Sequence, residues 1–362
     1  MIRAHALLPH ALDTSPGQRF RLEQWKAPLR EFGVDLELSV LLERPEDSNA
    51  LRSNRPTLAA LSALATRTAR RAATILSERP DVWIVSREAT LVGPAVLERL
   101  ARSRAPLVFD FDDSVWLSDA GENAKPTLRS RLRWARKVND VLAFASGVSA
   151  GNQYLADYAL RFNSRVEVVP TTVDVRGAYA MTKGWTNERL GAPITIGWSG
   201  SSSTATYIRG LLPTLAEIAQ QVDIKLLVVG AQHLSYPGLR IECRPWRSET
   251  EVQDLLDMDI GLMPLTDDEW ARGKCGLKAL QYMGLGIPAI VSPVGVNTEI
   301  VAHGVNGYHA TDPASWHRAI SLLTEPAQRI RLGRNARETV EQRYSAEVAA
   351  RTLAGLLHDV VR

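Results

Sequence analysis

ITIGWSGSSSTATYIRGLLPTLAEIAQQVDIKLLVVG, residues 194–230, decides the fold. ITIGWS and IKLLVVG are short apolar runs with β-branched residues and read as buried strands. Between them Ile208, Leu211, Leu212, Leu215, Ile218, Ala219 and Val222 recur at helical spacing across Tyr207–Val222, which predicts a long helix that begins near Thr204. Pro213 falls inside that pattern and predicts a kink or a new first turn. Strand, crossover helix and second strand make the βαβ unit of a parallel sheet.

The alternation continues outward in both directions. IRAHALL, VDLELSVLL, VWIVS, PLVFDFD and VEVVP read as strands upstream, and LRIEC, IGLMPL and PAIVSP read as strands downstream. The pattern occurs once on each side of about residue 180, which predicts an α/β chain of two doubly wound domains. TTVDVRGAYAMTKGWTNERLGAP, residues 171–193, holds three glycines and no periodicity, and is the expected join. The expected division is 1–175, then 176–340, then 341–362. That last segment ends a long helical pattern, Pro326 to Val361, and is expected to cross back to the first domain. Open α/β sheets bind ligands beyond their strand carboxyl ends, so a cleft between the two sets of ends is the expected site.

A chain of 362 residues, 45% hydrophobic and 23% charged, is not disordered, collagenous or a disulfide scaffold. Cys243 and Cys275 have neither CxxC spacing nor histidines at metal-site intervals, which fits a reduced compartment without structural zinc. MIRAHALLPHALD lacks the apolar core of a signal peptide, and no apolar run is long enough to span a bilayer. A cytoplasmic protein is therefore expected. The net charge of +3 is too small to imply nucleic acid, and no nucleic-acid motif is present. Residues 1–175 hold 24 basic and 21 acidic side chains, while 176–362 hold 19 of each. Lys125, Arg129, Arg131, Arg133, Arg136 and Lys137 lie in one stretch without an acid. Leu128, Leu132, Ala135, Val138 and Leu142 give 127–142 helical spacing, so this basic amphipathic helix either meets an anionic membrane through 125–137 or is simply solvated.

Candidate chemistry gathers at strand ends. In GKCGLKALQYMGLGIPAIVSP, residues 273–293, a helix from near Cys275 to Gly286 would put Lys274, Lys278 and Gln281 on one polar stripe. Lysines in a first turn oppose the helix dipole unless an anion compensates, and a phosphate does so; a solvated lysine face is the plain alternative. GWSGSSSTATY, residues 197–207, is a strand, a small-residue loop and a helix start, in which Gly200, Ser201 and Ser202 cradle a phosphate or only cap a helix. It matches neither GxGxxG nor the P-loop, which counts against dinucleotide and NTPase readings. VFDFDDSVW, residues 108–116, sets Asp110, Asp112 and Asp113 at a strand end, where acids take up protons, bind a sugar, hold a divalent metal or cap a helix. SPGQRFR, residues 15–21, offers Gly17, Arg19 and Arg21 to an anion, or only surface charge. No nucleophile motif of the GxSxG kind is present.

The two halves, the join after VVPTTVD, and G-K-x-G-L-K-x-L-Q-Y-M-x-x-G-I-P-x-I-x-S-x-V-G-x-x-x-E resemble the retaining glycosyltransferases of the GT-B fold. Within these the chain is most similar to the family-four-like, bacterial surface-polysaccharide branch. The resemblance covers 108–113, ASGVSAGNQYLADY at 145–158, and 259–308, where Gly286, Pro288, Gly295, Glu299 and Gly307 keep the family's order. It departs from the family where Gly273 and Gln281 stand in place of two glutamates eight positions apart. The family's phosphate-binding Arg and Lys have no match in GWSGSSSTATY, and its cleft His aligns with Asp112. The resemblance implies two Rossmann-like domains facing a cleft, and transfer of a sugar from a nucleotide sugar to a glycan or lipid-linked acceptor with retention. It implies Asp112, Lys274 and Glu299 at the chemistry, and Gly200, Ser201, Ser202, Lys274, Lys278 and Gln281 on the donor. Gly17, Arg19, Asp110 and Asp113 are implied for the acceptor, with no metal and no cofactor. A nucleotide-sugar epimerase or hydrolase, and a silent nucleotide-binding or scaffold module, are the alternatives.

Overall fold

The computed structural model describes residues 1–44, 46–47, 57–117, 136–184 and 192–362. The chain forms two compact units, Met1–Thr171 with Ala346–Arg362, and Thr172–Ser345.

The first unit is built on β1 (Ile2–Leu8), β2 (Val34–Val40), β3 (Val82–Ser86), β4 (Leu107–Phe111), β5 (Gly147–Ala150) and β6 (Val166–Val168). All pair in parallel, in the order β2-β1-β3-β4-β5-β6. The middle strands are buried along their whole length, as strands covered on both faces must be. Among the described residues its longer helices are α1 (Gln24–Glu31), α2 (Leu58–Ser77), α3 (Val96–Arg104), α4 (Lys137–Phe144), α5 (Gln153–Leu160) and, from the far end of the chain, α13 (Ala346–Val361). Trp25 and Leu29 of α1 share one core with Ala349, Leu353 and Leu357 of α13.

The second unit holds β7 (Ile194–Ser199), β8 (Ile224–Val229), β9 (Ile241–Arg244), β10 (Ile260–Met263), β11 (Ala289–Val291) and β12 (Gly307–His309). These too are parallel, in the order β12-β11-β10-β7-β8-β9. Counted from β7, that is the Rossmann order 3-2-1-4-5-6. The helices are α6 (Ala205–Ala219), α7 (Glu251–Leu256), α8 (Glu269–Arg272), α9 (Leu277–Gly284), α10 (Asn297–Ile300), α11 (Pro313–Leu322) and α12 (Pro326–Arg343).

Several expectations change. The helix after β7 starts at Ala205, beside the expected start near Thr204, and runs through Pro213 as one element that ends at Ala219. The pattern from Pro326 to Val361 is two helices, because Tyr344 leaves helical geometry (φ −132°) and Ser345 bridges to Val173. That break is where the chain passes from one unit to the other. The units change at 171/172 and 345/346, against the expected 175/176 and 340/341. Most of the basic stretch at 125–137 lies outside the described residues. Its last member, Lys137, is buried and ion-paired with Glu98 at 3.0 Å, so it is not part of any membrane-facing surface. No helix among the described residues is long and apolar enough to cross a membrane.

Candidate functional site

In the second unit the strand order reverses between β7 and β10, and the loops after those two strands flank the crevice where open α/β sheets bind ligands. The loop after β7 is Gly200–Ser201, followed by the single turn Ser202–Thr204 that leads into α6. It is held from below: the Tyr282 hydroxyl accepts the Ser199 N–H at 2.8 Å, and the Gly200 N–H donates to the Val229 carbonyl at 2.9 Å. Burial pushes the Tyr282 hydroxyl's pKa well above its usual range, so it stays a neutral partner.

Gly200 is a close-approach position. A Cβ there would stand 2.6 Å from the Trp198 ring and 2.8 Å from Lys278 Cε. Lys278 therefore folds over the glycine, its Nζ 5.5 Å from the Trp198 ring centre. Two motifs some 80 residues apart thus meet. Ser201 and Ser202 are exposed, and Ser201 Oγ bonds Ser203 Oγ at 2.8 Å.

The expected polar stripe is not built. Gly276 adopts the left-handed conformation (φ +70°) and starts α9 only at Leu277, so Lys274 lies in the turn before it, its Nζ 5.2 Å over the Trp270 ring. Gln281 is 4% exposed and donates to the Tyr179 hydroxyl at 2.6 Å. Tyr179 in turn donates to Glu251 at 3.0 Å, and Glu251 also accepts the Trp246 indole N–H at 2.7 Å. Gln281 is thus corrected from a ribose contact to a buried strut. Glu299 is exposed, but within the one-turn α10 rather than in a loop. A Cβ at Gly276 would stand 3.4 Å from Val296 Cγ1 and 3.5 Å from Asn297 Oδ1, so the amino ends of α9 and α10 lie together. None of α6, α9 and α10 has a side-chain cap at its start, and the first-turn N–H groups of α10 donate to the Val294, Gly295 and Val296 carbonyls.

In the first unit the order reverses between β1 and β3. Gly17 follows β1, Arg87 follows β3, and Asp112 follows β4. Arg87 Nε and Nη2 each lie 2.6 Å from Asp112 Oδ1. A Cβ on Gly17 would stand 2.6 Å from Arg87 Nη2 and 2.8 Å from Asp112 Oδ2, so a side chain there would displace this pair. Asp113 accepts its neighbour Ser114 N–H at 3.1 Å, and Arg19 pairs with Asp13 at 2.6 Å. Asp110 is corrected outright. It is wholly buried, held by Arg21 and by the Ser149 hydroxyl, each at 2.6 Å, and no acceptor reaches it. Arg21 also donates to the Val169 carbonyl at 2.7 Å, so it is a structural anchor rather than an anion receptor. With both aspartates carrying arginines, the pair is not a DxD metal site. Among the described residues no group of three His, Cys, Asp or Glu side chains could hold a metal ion.

Arg87 and Trp246 carry no sequence signal, since neither lies in a motif; Arg87 is placed by Asp112, 25 residues on, and Trp246 by Glu251, five residues on. Trp246 Cβ lies 3.3 Å from where a Cβ on Gly230 would stand, beside the Gly200 carbonyl.

Comparison with known proteins bears on the fold. Residues 193–325 match the family model for glycosyl transferases group 1. N-acetyl-alpha-D-glucosaminyl L-malate synthase of Bacillus anthracis is 29% identical over 168 residues, which are 43% of this chain and only 42% of that protein. Sucrose-phosphate synthase of Thermosynechococcus elongatus superposes over 99% of both chains with a TM-score of 0.71 at 14% identity. Anabaena Alr3699/HepE, solved with UDP and glucose, superposes over 99% of this chain and all of that one, with a TM-score of 0.70 at 17% identity. The chain therefore has the α/β, two-domain GT-B fold, and its second unit carries the match to glycosyl transferases group 1.

Proposed function

We propose that the protein is a retaining glycosyltransferase that moves a sugar from a nucleoside-diphosphate donor to an acceptor hydroxyl, in surface-polysaccharide or glycoconjugate synthesis. The observation that carries the reading is the meeting of Lys278 with Gly200 at the β7/β10 switch point, inside the region matched by glycosyl transferases group 1. Breaking the bond from the anomeric carbon to the diphosphate leaves negative charge on that diphosphate. Lys278, in the first turn of α9 beside Gly200, and Lys274, in the turn before that helix, supply positive charge against it as it develops. The acceptor oxygen bonds the same carbon from the face the diphosphate leaves, and its proton passes to the departing phosphate oxygen. Asp112 orients the acceptor, and Glu299 meets the donor sugar. The cationic groups do the work a metal would do, so no metal or cofactor enters the reading. The Anabaena protein was solved with UDP, and the Bacillus anthracis relative is named for N-acetylglucosamine and L-malate, which makes UDP-sugars and hydroxy-acid or sugar acceptors the first to try.

The test is thermal stabilisation by UDP, UDP-glucose and UDP-N-acetylglucosamine, with other nucleoside diphosphates alongside. A ligand at about 100 times its Kd adds roughly 2.7 kcal/mol. Lys278→Ala is expected to weaken that nucleotide about tenfold, or about 1.4 kcal/mol, without lowering the unliganded Tm. A chain stabilised by no nucleotide is not a glycosyltransferase of this kind.

A further inference from the structure

We infer that Arg87 is a positioning residue for the acceptor side of the reaction, holding the Asp112 carboxylate at the β1/β3 switch point. The inference rests on the proposed glycosyl transfer. Three observations lead to it, all within the first unit.

The first is place. The crevice of an open parallel sheet opens where strand order reverses, and here the two loops flanking it carry Gly17 and Arg87. The second is backbone. Arg87 has φ +60°, a left-handed conformation that costs a residue with a Cβ and persists only where the surroundings impose it. The third is what imposes it. Buried Arg71 of α2 donates to the carbonyls of Leu8 (2.9 Å), Ser39 (2.7 Å) and Ala89 (3.0 Å), tying the ends of β1 and β2 to the loop after β3. Buried Glu98 of α3 accepts the Ala89 N–H at 2.9 Å. Lys137 of α4, also buried, donates to the Thr90 carbonyl (2.7 Å) and hydroxyl (2.9 Å) and pairs with Glu98.

Burying three charged side chains is costly, and a plain turn does not require it. Here all three converge on residues 89 and 90, just past the strained Arg87. The Arg87 N–H donates to the Asp110 carbonyl at 2.8 Å, which fixes the loop to β4 as well. The guanidinium then takes Asp112 Oδ1 with two nitrogens, and Oδ2 lies on the Gly17 side. The arrangement aims one carboxylate at a crevice floored by a residue without a side chain, where an acceptor hydroxyl is to be oriented.

The experiment uses the full chain with Arg87→Gly and Arg87→Lys. Read out are Tm, the UDP-induced Tm shift, and UDP release from UDP-glucose or UDP-N-acetylglucosamine with L-malate and monosaccharide acceptors. Glycine is at ease at this φ, so Arg87→Gly is expected to leave Tm no lower than wild type and the UDP shift intact. Acceptor kcat/KM is expected to fall about 100-fold, as misplacement of a positioned group does, with donor KM unchanged. Arg87→Lys is expected to recover part of the rate. An active wild type whose Arg87→Gly variant stays within about twofold in acceptor kcat/KM overturns the inference alone. So does a variant that loses Tm and UDP binding together, since that is the mark of a merely structural ion pair. A wild type that releases no UDP under any pairing overturns the glycosyl-transfer reading itself.

Discussion

His5, in the middle of β1, is 4% exposed, with its ring 4.9 Å from that of Trp83 and its Nε2 buried without a partner. Burial lowers its pKa below 6.5, outweighing the nearby Glu37 that pulls the other way. In the unfolded chain the same imidazole takes up a proton near pH 6.5, so below that pH the unfolded state binds more protons than the native one. Stability is therefore lost as pH falls from about 6.5 toward the lowered native pKa. Wild type is expected to melt at lower temperature at pH 5.5 than at pH 7.5, and His5→Phe, which takes up no proton, to flatten part of that slope. Equal slopes for the two proteins in scanning calorimetry would count against the argument. His309, also lowered by burial, supplies a remaining share. At this scale the sequence is legible where a residue's meaning is local. Gly17 and Gly200 stand out as small residues after strands, and Lys278 as a cation in a first turn. Arg87 was not legible, because its meaning lies in a backbone angle and in Asp112, 25 residues on. Gln281 and Asp110 misled for the converse reason: a polar residue in a motif reads as a ligand contact until Tyr179 or Arg21 is seen to occupy it.

Tyr282 joins the two elements on which the donor reading depends. It sits on α9, its ring fills the space left by Gly261 of β10, and its hydroxyl accepts the N–H of Ser199 at the end of β7. Tyr282→Phe keeps the ring and strands a buried backbone donor, which costs about 1–3 kcal/mol. Urea unfolding is expected to show a lower midpoint with an unchanged m-value, since the exposed surface hardly differs. A midpoint equal to wild type would mean that Ser199 finds water and that α9 does not position the loop. The longer strands were legible as apolar runs, because parallel strands covered on both faces need no alternation. β5 (GVSA) and β12 (GYH) were not, because each opens on glycine and holds one large apolar residue, which makes no apolar run. The start of α9 was misplaced because its apolar spacing extends past Gly276, whereas the left-handed glycine ends the turn there.

The chain threads its two units in the order first, second, first, and the last crossing has an energetic consequence. Ala346, Ala349, Ala350, Leu353 and Leu357 of α13 are all buried in the core of the first unit, with Trp25, Leu29 and Val34. Full burial of a leucine is worth about 1.5–3 kcal/mol, so the leucines of α13 with Val360 contribute on the order of the whole stability of a domain. A chain ending at Ser345 would expose that face of α1 and β1 and leave the first unit without enough buried surface to fold. The second unit, Thr172–Ser345, keeps its sheet, its helices and every residue assigned to the donor. The expected outcome is loss of protection from hydrogen exchange across β1–β6 in the truncated chain, with β7–β12 still protected and a UDP-induced Tm shift still present. Protection retained in both sheets would show α13 to be dispensable, and loss in both would show that the second unit does not hold its own fold. The sequence hinted at this crossing only through the length of its last helical pattern. It gave no sign of the break at Tyr344, whose non-helical angle and the Ser345 bridge to Val173 come from tertiary packing. A break there lets one helix complete each unit. On the proposed reading, an acceptor oriented at Gly17, Arg87 and Asp112 therefore requires the carboxyl-terminal residues to fold with the amino-terminal ones.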